Sequence, residues 1–432
     1  MYFRNMKIAF HTLGCKLNFS ETSFIANDLK NEEIEITNFS DKSDVYVINT
    51  CSVTDNANKE CRQLIRKVKK ISPNSIITIM GCYAQLKPDE LKQIEGVNLV
   101  LGANEKFKLK EYLKKVTNKD SIINVKPIHK IKSFKQSFSE KQRTRTFLKI
   151  QDGCNYKCSF CTIPLARGKS RSDTIQNVKK QIKQLEIKGI KEIVLTGVNI
   201  GDFGINEKNE NFQDLIKEII KIKTPRIRIS SIEPNLLTDE ILNLIMNSKN
   251  IVPHFHIPLQ SGSDKILKLM RRRYNTTYYK KLIKKIKSFN QSTCIGADVI
   301  VGFPGEQESD FNDTVEFIKS LPVSYLHVFS YSERENTVAK NMDGLVEIKT
   351  RKKRSQVLRN LSSKKKNKFY LENLKTSRPT LIESGNEKET LNGYTDNYIK
   401  VEIPYKKGLE NKIVEINMDT LNRNGNIKGF LN

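Results

Sequence analysis

DGCNYKCSFCTIPLARG, residues 152–168, holds three cysteines in one short segment: Cys154, Cys158 and Cys161. The β-branched and aromatic run from Phe147 to Ile150 predicts a strand, so the cysteines follow a strand's carboxyl end, where α/β sheets and barrels bind ligands. A structural zinc site takes four protein ligands, and no His or further Cys occurs between Cys161 and Asn211. Three thiolates suit a cubane iron-sulfur cluster with one open iron. Zinc with a distant ligand, or a chance grouping, remains the alternative.

Length and cysteine usage limit the class of protein. The 432 residues suffice for two or three domains that each bury a core. Residues Met1 to Phe10 form no apolar leader, and the eight cysteines include three in one loop. We therefore expect a reducing, cytoplasmic setting without disulfides or membrane spans.

The charge balance predicts a polyanionic partner. The chain carries 75 Lys and Arg against 48 Asp and Glu, a formal net charge of +27. Basic residues cluster in three segments: Thr350 to Lys368, with nine Lys or Arg and no acid, Arg271 to Arg273, and Lys130 to Arg145. A solvated helix face would explain any one of them, but the three together favour RNA or DNA.

The first hundred residues alternate strand and helix signals. Short apolar strands are expected at Lys7–His11, Val45–Asn49, Ile76–Met80 and Asn98–Leu101, with polar helical stretches such as Asn58–Ile71 between them. This alternation is typical of a parallel sheet with crossover helices.

The first three of these strands each run into a cysteine: Cys15, Cys51 and Cys82. Parallel strands end at the same edge of a sheet, so these thiols should meet there. We interpret them as ligands of a second iron-sulfur cluster with an open iron, the alternative being ordinary buried cysteines. Cys61 and Cys294 are interpreted as such ordinary side chains.

The rest of the chain changes pattern twice. After a polar, Lys-rich linker, strands recur at Phe147, Ile193, Arg226, His254, Ile295 and Leu326 with amphipathic helices between them, which predicts a partial (β/α)6 barrel. The last sixty residues contain short strands and Gly, Asn and Asp turns, as in a small antiparallel β-barrel. We expect an N-terminal α/β domain at residues 1–115, a linker at 116–145, the partial barrel at 146–372 and the small C-terminal barrel at 373–432.

Longer motifs around the cysteines are similar to those of the radical S-adenosylmethionine (SAM) methylthiotransferases. They are GCKLN (Gly14–Asn18), NTCSVT (Asn49–Thr54), GCYAQ (Gly81–Gln85), LKIQDGC (Leu148–Cys154), IPLARG (Ile163–Gly168) and IPLQSGSD (Ile257–Asp264). The resemblance covers nearly the whole chain. It implies an N-terminal methylthiotransferase domain with an auxiliary [4Fe-4S] cluster on Cys15, Cys51 and Cys82, a radical SAM core with a [4Fe-4S] cluster on Cys154, Cys158 and Cys161, and a C-terminal TRAM-like RNA-binding barrel.

The resemblance also implies the reaction. Members of this family add a methylthio group at an unactivated C–H position of a tRNA adenosine or of a ribosomal-protein aspartate. The stretches Thr12–Lys16, Phe147–Cys154, Leu195–Gly204 and Arg228–Pro234 are similar to the branch that acts on N6-threonylcarbamoyladenosine at tRNA position 37. Phe19 and Ser20 depart from that branch, which usually has Gln and Tyr there. The alternatives are isopentenyladenosine-37, a ribosomal protein, or a non-catalytic iron-sulfur protein that binds RNA or senses redox state.

Family motifs further imply contacts and partners. The residues expected near SAM are Phe160, Thr196, Gly197, Ser231, Glu233, Gln260 and Asp298. His254 and His256 share one strand face at a period of two and face the barrel interior or pack in its core. The expected partners are the tRNA anticodon loop, an electron donor such as flavodoxin or ferredoxin, and a sulfur source, with no membrane.

Overall fold

The computed structural model describes residues 6–30, 34–52, 55–139, 144–206, 210–383 and 389–432. Val53 and Thr54 of the NTCSVT motif and residues 140–143 of the expected linker lie outside the described residues.

An all-parallel sheet forms the N-terminal part, with strand order β2-β1-β3-β4-β5-β6. Helix α1 packs Ile25 and Leu29 on one face, and α2 packs Cys61, Ile65 and Val68 on the other. The predicted parallel sheet with crossover helices is confirmed, and the helices cover both of its faces. The elements are β1 (Lys7–Thr12), α1 (Lys16–Lys30), β2 (Glu35–Thr37), β3 (Val45–Thr50), α2 (Asp55–Ile71), β4 (Ile76–Gly81), α3 (Cys82–Leu86), α4 (Pro88–Lys92), β5 (Val97–Leu101), α5 (Leu109–Leu113) and β6 (Ile122–Asn124).

Six parallel strands, β8, β11, β12, β13, β14 and β15, form the predicted partial barrel. The elements are β7 (Ser137–Phe138), β8 (Arg145–Lys149), β9 (Gln151–Asp152), α6 (Ile163–Arg167), β10 (Arg171–Ser172), α7 (Ile175–Ile187), β11 (Glu192–Thr196), α8 (Phe212–Ile219), β12 (Arg226–Ile229), α9 (Asp239–Met246), β13 (His254–His256), α10 (Asp264–Leu269), α11 (Thr276–Phe289), β14 (Cys294–Val301), α12 (Glu308–Ser320), β15 (Tyr325–Ser330) and α13 (Ile348–Leu371). In the described part of the chain β8 and β15 do not pair, so the barrel is open.

Helix α1 packs beside that opening. It contacts β7 and β8, so the N-terminal sheet sits against the barrel's first strand. The amino end of α1, which follows Cys15 directly, is thereby brought towards the barrel lumen.

The segment expected to be a linker contributes to both flanking sheets. β6 extends the N-terminal sheet by pairing with β5, and β7 pairs antiparallel with β8 of the barrel. These strands have three and two residues, too few for a period to show in sequence.

The C-terminal strands close into a barrel of order β16-β17-β18-β20-β19. They are β16 (Ser377–Glu383), β17 (Thr390–Thr395), β18 (Lys400–Pro404), β19 (Ile413–Leu421) and β20 (Ile427–Leu431). The predicted small antiparallel barrel is confirmed, except that β18 and β20 run parallel. Its core includes Phe369 and Tyr370 of α13 and Cys294 of β14, which fixes it to the large barrel. Of the described helices, none has the length and apolar character needed to cross a membrane.

A candidate active site between two cysteine trios

The auxiliary trio, Cys15, Cys51 and Cys82, lies at one edge of the N-terminal sheet. Each follows one of three adjacent strands, β1, β3 and β4, so the expected convergence is what the structure has. Gly14 and Gly81 precede two of them with φ of 94° and 100°. A Cβ on Gly14 would lie 2.6 Å from Cys51 Cβ, and one on Gly81 would lie 2.4 Å from Asn49 Oδ1. Only glycine permits this backbone and this close approach.

Two buried asparagines hold the loops of this trio. Asn18 Nδ2 donates to the carbonyls of Leu13 and Thr50, at 2.8 and 3.0 Å. Asn49 Nδ2 donates to the carbonyl of Asn18 at 3.1 Å and to Thr22 Oγ1 at 2.9 Å. The GCKLN and NTCSVT motifs are therefore joined by hydrogen bonds that fix the cysteine loops relative to each other.

The radical SAM trio, Cys154, Cys158 and Cys161, lies on the loop between β9 and α6. The backbone N–H of Cys154 donates to Gly168 at 3.0 Å, and that of Cys161 to Cys158 at 3.1 Å. Phe160 packs against a small apolar cluster, with its ring 6.3 Å from that of Phe303. The loop is thus pinned at both ends.

Sulfur spacing and burial test whether each trio fits a cluster. A single tetrahedral ion needs sulfurs about 3.8 Å apart. Among the described residues, neither trio has all three sulfurs within 4.8 Å of one another. Burial raises the pKa of the Cys154 and Cys161 thiols to about 12, and raises that of Cys82. Thiolates here therefore need a cationic group to stabilise them, and the chemistry of each donor set, three cysteine thiols, fits an iron-sulfur cluster.

Arg272 is a functional candidate that the sequence did not single out. Its Nη1 donates to Cys158 Sγ at 3.0 Å, and its Nη2 pairs with Glu233. Its side chain is 3% exposed. Arg273 stacks over the ring of Tyr156 at 3.9 Å. The expectation that Arg271 to Arg273 form an RNA-binding patch is therefore wrong for Arg272, which belongs to the cysteine site.

Most of the other residues expected near SAM lie at or just after the carboxyl ends of barrel strands, whereas Asp298 lies within β14. Thr196 ends β11 and Gly197 follows it, Ser231 Oγ lies 2.5 Å from His256 Nδ1, and the backbone N–H of Gln260 donates to the carbonyl of Asp298 at 2.8 Å. Several buried polar atoms there lack a hydrogen-bond partner among the described residues: Asn199 Oδ1, Asp202 Oδ1, Ser230 Oγ, Asn235 Oδ1 and Gln260 Oε1. Because buried polar atoms normally have partners, this region fits a polar ligand.

Both histidines of β13 line the lumen. His254 Nε2 lies 3.0 Å from Tyr325 Oη, and His256 Nε2 lies 3.1 Å from Asp298 Oδ1. His327 Nδ1 reaches the same oxygen at 3.3 Å. Although burial opposes it, these two imidazoles hold the pKa of Asp298 well below its usual range. The lumen is therefore polar and charged, unlike an ordinary barrel core.

A buried ionic network joins the elements that flank the two trios. Arg167 of α6 donates to Glu21 of α1, to Asp152 at 2.9 Å and to Asn18 at 2.6 Å. Lys149 reaches Glu21 at 2.8 Å and Asp152 at 3.0 Å, and Lys106 also pairs with Glu21. Because Asn18 Nδ2 also holds the carbonyls of Leu13 and Thr50, Arg167 is tied through Asn18 to the loops of the auxiliary trio.

The comparisons with known proteins agree with this geometry. Residues 148–318 match the model of the radical SAM superfamily, and residues 7–102 match that of the uncharacterized protein family UPF0004. The threonylcarbamoyladenosine tRNA methylthiotransferase MtaB of Aquifex aeolicus is 40% identical over 402 residues, 92% of this chain and 96% of that protein. The protein of the same name from Bacillus subtilis is 40% identical over 95% of this chain and 93% of its own length.

A second branch is also similar, at lower identity. The tRNA-2-methylthio-N(6)-dimethylallyladenosine synthase of Fusobacterium nucleatum is 34% identical over 83% of this chain and 84% of that protein. Among solved structures, the radical SAM methyltransferase TsrM of Kitasatospora setae superposes with a TM-score of 0.55 at 13% identity, over 78% of this chain and 77% of that one, which shows the fold alone. The chain belongs to the methylthiotransferase family of the radical SAM superfamily.

Proposed function

We propose that this enzyme adds a methylthio group to C2 of N6-threonylcarbamoyladenosine at position 37 of the tRNA anticodon loop. The observation that carries the proposal is the pair of cysteine trios, one at the edge of the N-terminal sheet and one on the loop after β9, with Arg167 of α6 paired to Glu21 of α1. Sulfur insertion needs a radical source and a sulfur source near one carbon atom, and this arrangement supports both. Relatives named for this substrate are 40% identical over more than nine-tenths of the chain.

The family's cofactors are SAM and two [4Fe-4S] clusters. Cys154, Cys158 and Cys161 would hold the cluster that binds SAM, and Cys15, Cys51 and Cys82 would hold the auxiliary cluster. When bound, these groups supply a radical that removes hydrogen from an unactivated carbon, and an open iron site for the incoming sulfur.

The chain's own residues position these groups and keep water out. At the strand ends Gln260, whose Oε1 lacks a partner among the described residues, would bind SAM together with Ser231 and Glu233, and Phe160 would form an apolar wall beside its adenine. The Arg167 network fixes α1 against β8, so the distance between the two trios is set by buried, paired charges. Such preorganisation holds reacting atoms in place before the reaction begins.

For the substrate, exposed cations lie beside the lumen. α13 presents Lys352 and Lys353 to solvent, whereas Arg351 and Arg354 of the same basic run are buried and pair with Glu333 and Glu306. Single-stranded anticodon loops offer bases that can be unstacked, which a reaction at C2 requires. An electron donor such as flavodoxin or ferredoxin, a sulfur source and a reducing cytoplasmic setting complete the proposal.

The test is mass spectrometry of tRNA nucleosides from cells with and without the gene. We expect 2-methylthio-N6-threonylcarbamoyladenosine to disappear when the gene is deleted. If it persists, or if the 2-methylthio dimethylallyl derivative disappears instead, the proposed substrate is wrong. Formation of 5′-deoxyadenosine from SAM by the reduced enzyme separates an enzyme from a non-catalytic iron-sulfur protein, which would form none.

A further inference from the structure

Three metal-ligating side chains from adjacent barrel strands meet in the lumen. His256 ends β13, Asp298 lies in β14 and His327 lies in β15, and these strands pair in parallel. Asp298 is opposite His327, and His256 is opposite Gly296, which is two residues before Asp298 and therefore on the same face. The donor atoms of the three side chains all lie within 4.8 Å of one another. Within the described part of the chain, no other set of three His, Cys, Asp or Glu side chains meets that spacing.

The distances within this group match those between ligands of one metal ion. Asp298 Oδ1 lies 3.1 Å from His256 Nε2 and 3.3 Å from His327 Nδ1. Nitrogen and oxygen atoms that bind one ion at about 2.1 Å are about 3.0–3.4 Å apart when the angle between their bonds is octahedral or tetrahedral. An ion beside Asp298 Oδ1 is therefore within reach of both imidazoles.

The orientation of the His256 ring is that of a ligand. His256 is buried, and its Nε2 has no correctly aligned hydrogen-bond partner among the described residues, although Asp298 is close enough for one. On the other side of the ring, Nδ1 lies 2.5 Å from Ser231 Oγ. A proton on Nδ1, donated to this hydroxyl, leaves the lone pair of Nε2 beside the carboxylate. Two such lone pairs repel each other unless a cation lies between them, so this buried nitrogen points to a metal ion.

We propose that His256, Asp298 and His327 bind one divalent transition-metal ion, such as Zn²⁺, in the barrel lumen. Two imidazoles and one carboxylate are ligands that such ions take, whereas Mg²⁺ and Ca²⁺ prefer oxygen ligands alone. Three protein ligands leave at least one coordination position open. Because the His327 side chain is 53% exposed, the ion is accessible from the lumen, and its open position takes water or an oxygen atom of a bound molecule. This site shares no residue with the cysteine trios and goes beyond the proposed function.

The experiment is equilibrium dialysis of the reconstituted holoenzyme against Zn²⁺, with zinc and iron measured by mass spectrometry. Wild type should bind about one zinc ion per chain, with its iron content unchanged. His327→Gln and Asp298→Asn should each weaken zinc binding by about 100-fold, because even residues that only support a ligand contribute about 10–100-fold to metal affinity. His129→Gln is the matched control, since it removes an exposed imidazole between β6 and β7, and it should bind zinc as wild type does.

X-ray absorption at the zinc edge identifies the ligands in wild type, without any substitution. Nitrogen and oxygen atoms at about 2.0–2.1 Å, with the outer-shell scattering of imidazole and no sulfur at about 2.3 Å, are expected. Sulfur ligands would place the zinc at the cysteines and overturn the inference. Equal zinc binding by wild type, His327→Gln and Asp298→Asn would also overturn it, as would the absence of binding by wild type. Because the readout is metal binding, the result does not depend on whether the proposed tRNA substrate is correct.

Discussion

The guanidinium group of Arg167 donates one hydrogen bond to each carboxylate oxygen of Glu21, both at 3.2 Å, across the boundary between the barrel and the N-terminal sheet. Glu21 is fully buried and also accepts from Lys106 and Lys149. Planar, two-point pairing of this kind fixes orientation as well as distance. One buried carboxylate therefore fixes the relative positions of the two halves of the candidate site.

Replacing Glu21 should destabilise the protein strongly. Glu21→Gln removes the negative charge shared by Arg167, Lys106 and Lys149 and leaves only Asp152 to compensate them. We expect the free energy of unfolding to fall by about 3–5 kcal/mol, as measured by chemical denaturation of the reconstituted enzyme. Glu316→Gln breaks the exposed pair with Lys319 and should change little. Equal effects of the two substitutions would contradict this account.

Glu192 should make the free energy of unfolding depend on pH. Burial alone would raise its pKa from 4.5, but Arg228 and Arg226 outweigh burial and lower it to about 2. A carboxyl whose folded-state pKa is depressed stabilises the protein above the unfolded value and loses that contribution as the pH falls towards the folded value. The expected contribution is about 3 kcal/mol at neutral pH, lost between about pH 4.5 and 2.

The measurement compares urea denaturation of wild type and Glu192→Gln at several pH values in that window and at pH 7. The variant should be less stable at pH 7, and the difference should narrow as the pH falls. Because acid loss of iron affects both proteins, only their difference is interpreted. A difference that stays constant down to pH 3 would mean that folding does not lower the pKa of Glu192.

Iron content should divide between the two cysteine trios. Reconstituted wild type should contain about eight irons per chain, and Cys15→Ala, Cys51→Ala or Cys82→Ala should reduce this to about four. Cys61→Ala is the matched control, since Cys61 is fully buried in α2 and belongs to neither trio. Iron analysis after anaerobic reconstitution provides the readout. Full iron content in Cys82→Ala would remove that residue from the ligand set.

The positions of the cysteines could be predicted because they depend on local patterns and one geometric rule. Strand signals ending in Cys15, Cys51 and Cys82, together with the parallel arrangement, are enough to bring three distant residues to one sheet edge. The Arg167–Glu21 pair could not be predicted in this way. The two residues are 146 positions apart, and buried charge runs against the general tendency of these residue types.

The sequence does not reveal which residues of a basic run are buried and which are exposed. Arg271 has a positive φ of 58°, so the chain turns there and the three consecutive arginines point to different surroundings. In α13, Arg351 and Arg354 lie on the buried side of a helix whose neighbouring lysines are exposed. Composition gives the net charge, but the fold determines which basic side chains are exposed and can bind RNA.

Removing the C-terminal barrel would not isolate its contribution to RNA binding. Arg226 and Arg228 of the large barrel donate to carbonyls of Pro379, Tyr394 and Asp396 in the small one. Without residues 376–432 these arginines would lose partners and stability would fall, so weaker tRNA binding would have two possible causes. Point substitutions at exposed lysines separate RNA contact from folding.

Lys352 and Lys353 are suited to that purpose. They are exposed on the first turns of α13, whose buried neighbours Arg351 and Arg354 pair with Glu333 and Glu306, both in loops after the carboxyl ends of β15 and β14. The amino end of α13 therefore lies near the carboxyl ends of these two strands. If each contacts a phosphate, replacing both by Gln should reduce the slope of log affinity against log salt concentration by about 2.

Lys180→Gln with Lys183→Gln removes the same charge from the exposed face of α7, away from the carboxyl ends of the strands, and should leave the slope unchanged. Equal slopes for the two double variants would show that tRNA is attracted by net charge alone, without a contact at α13.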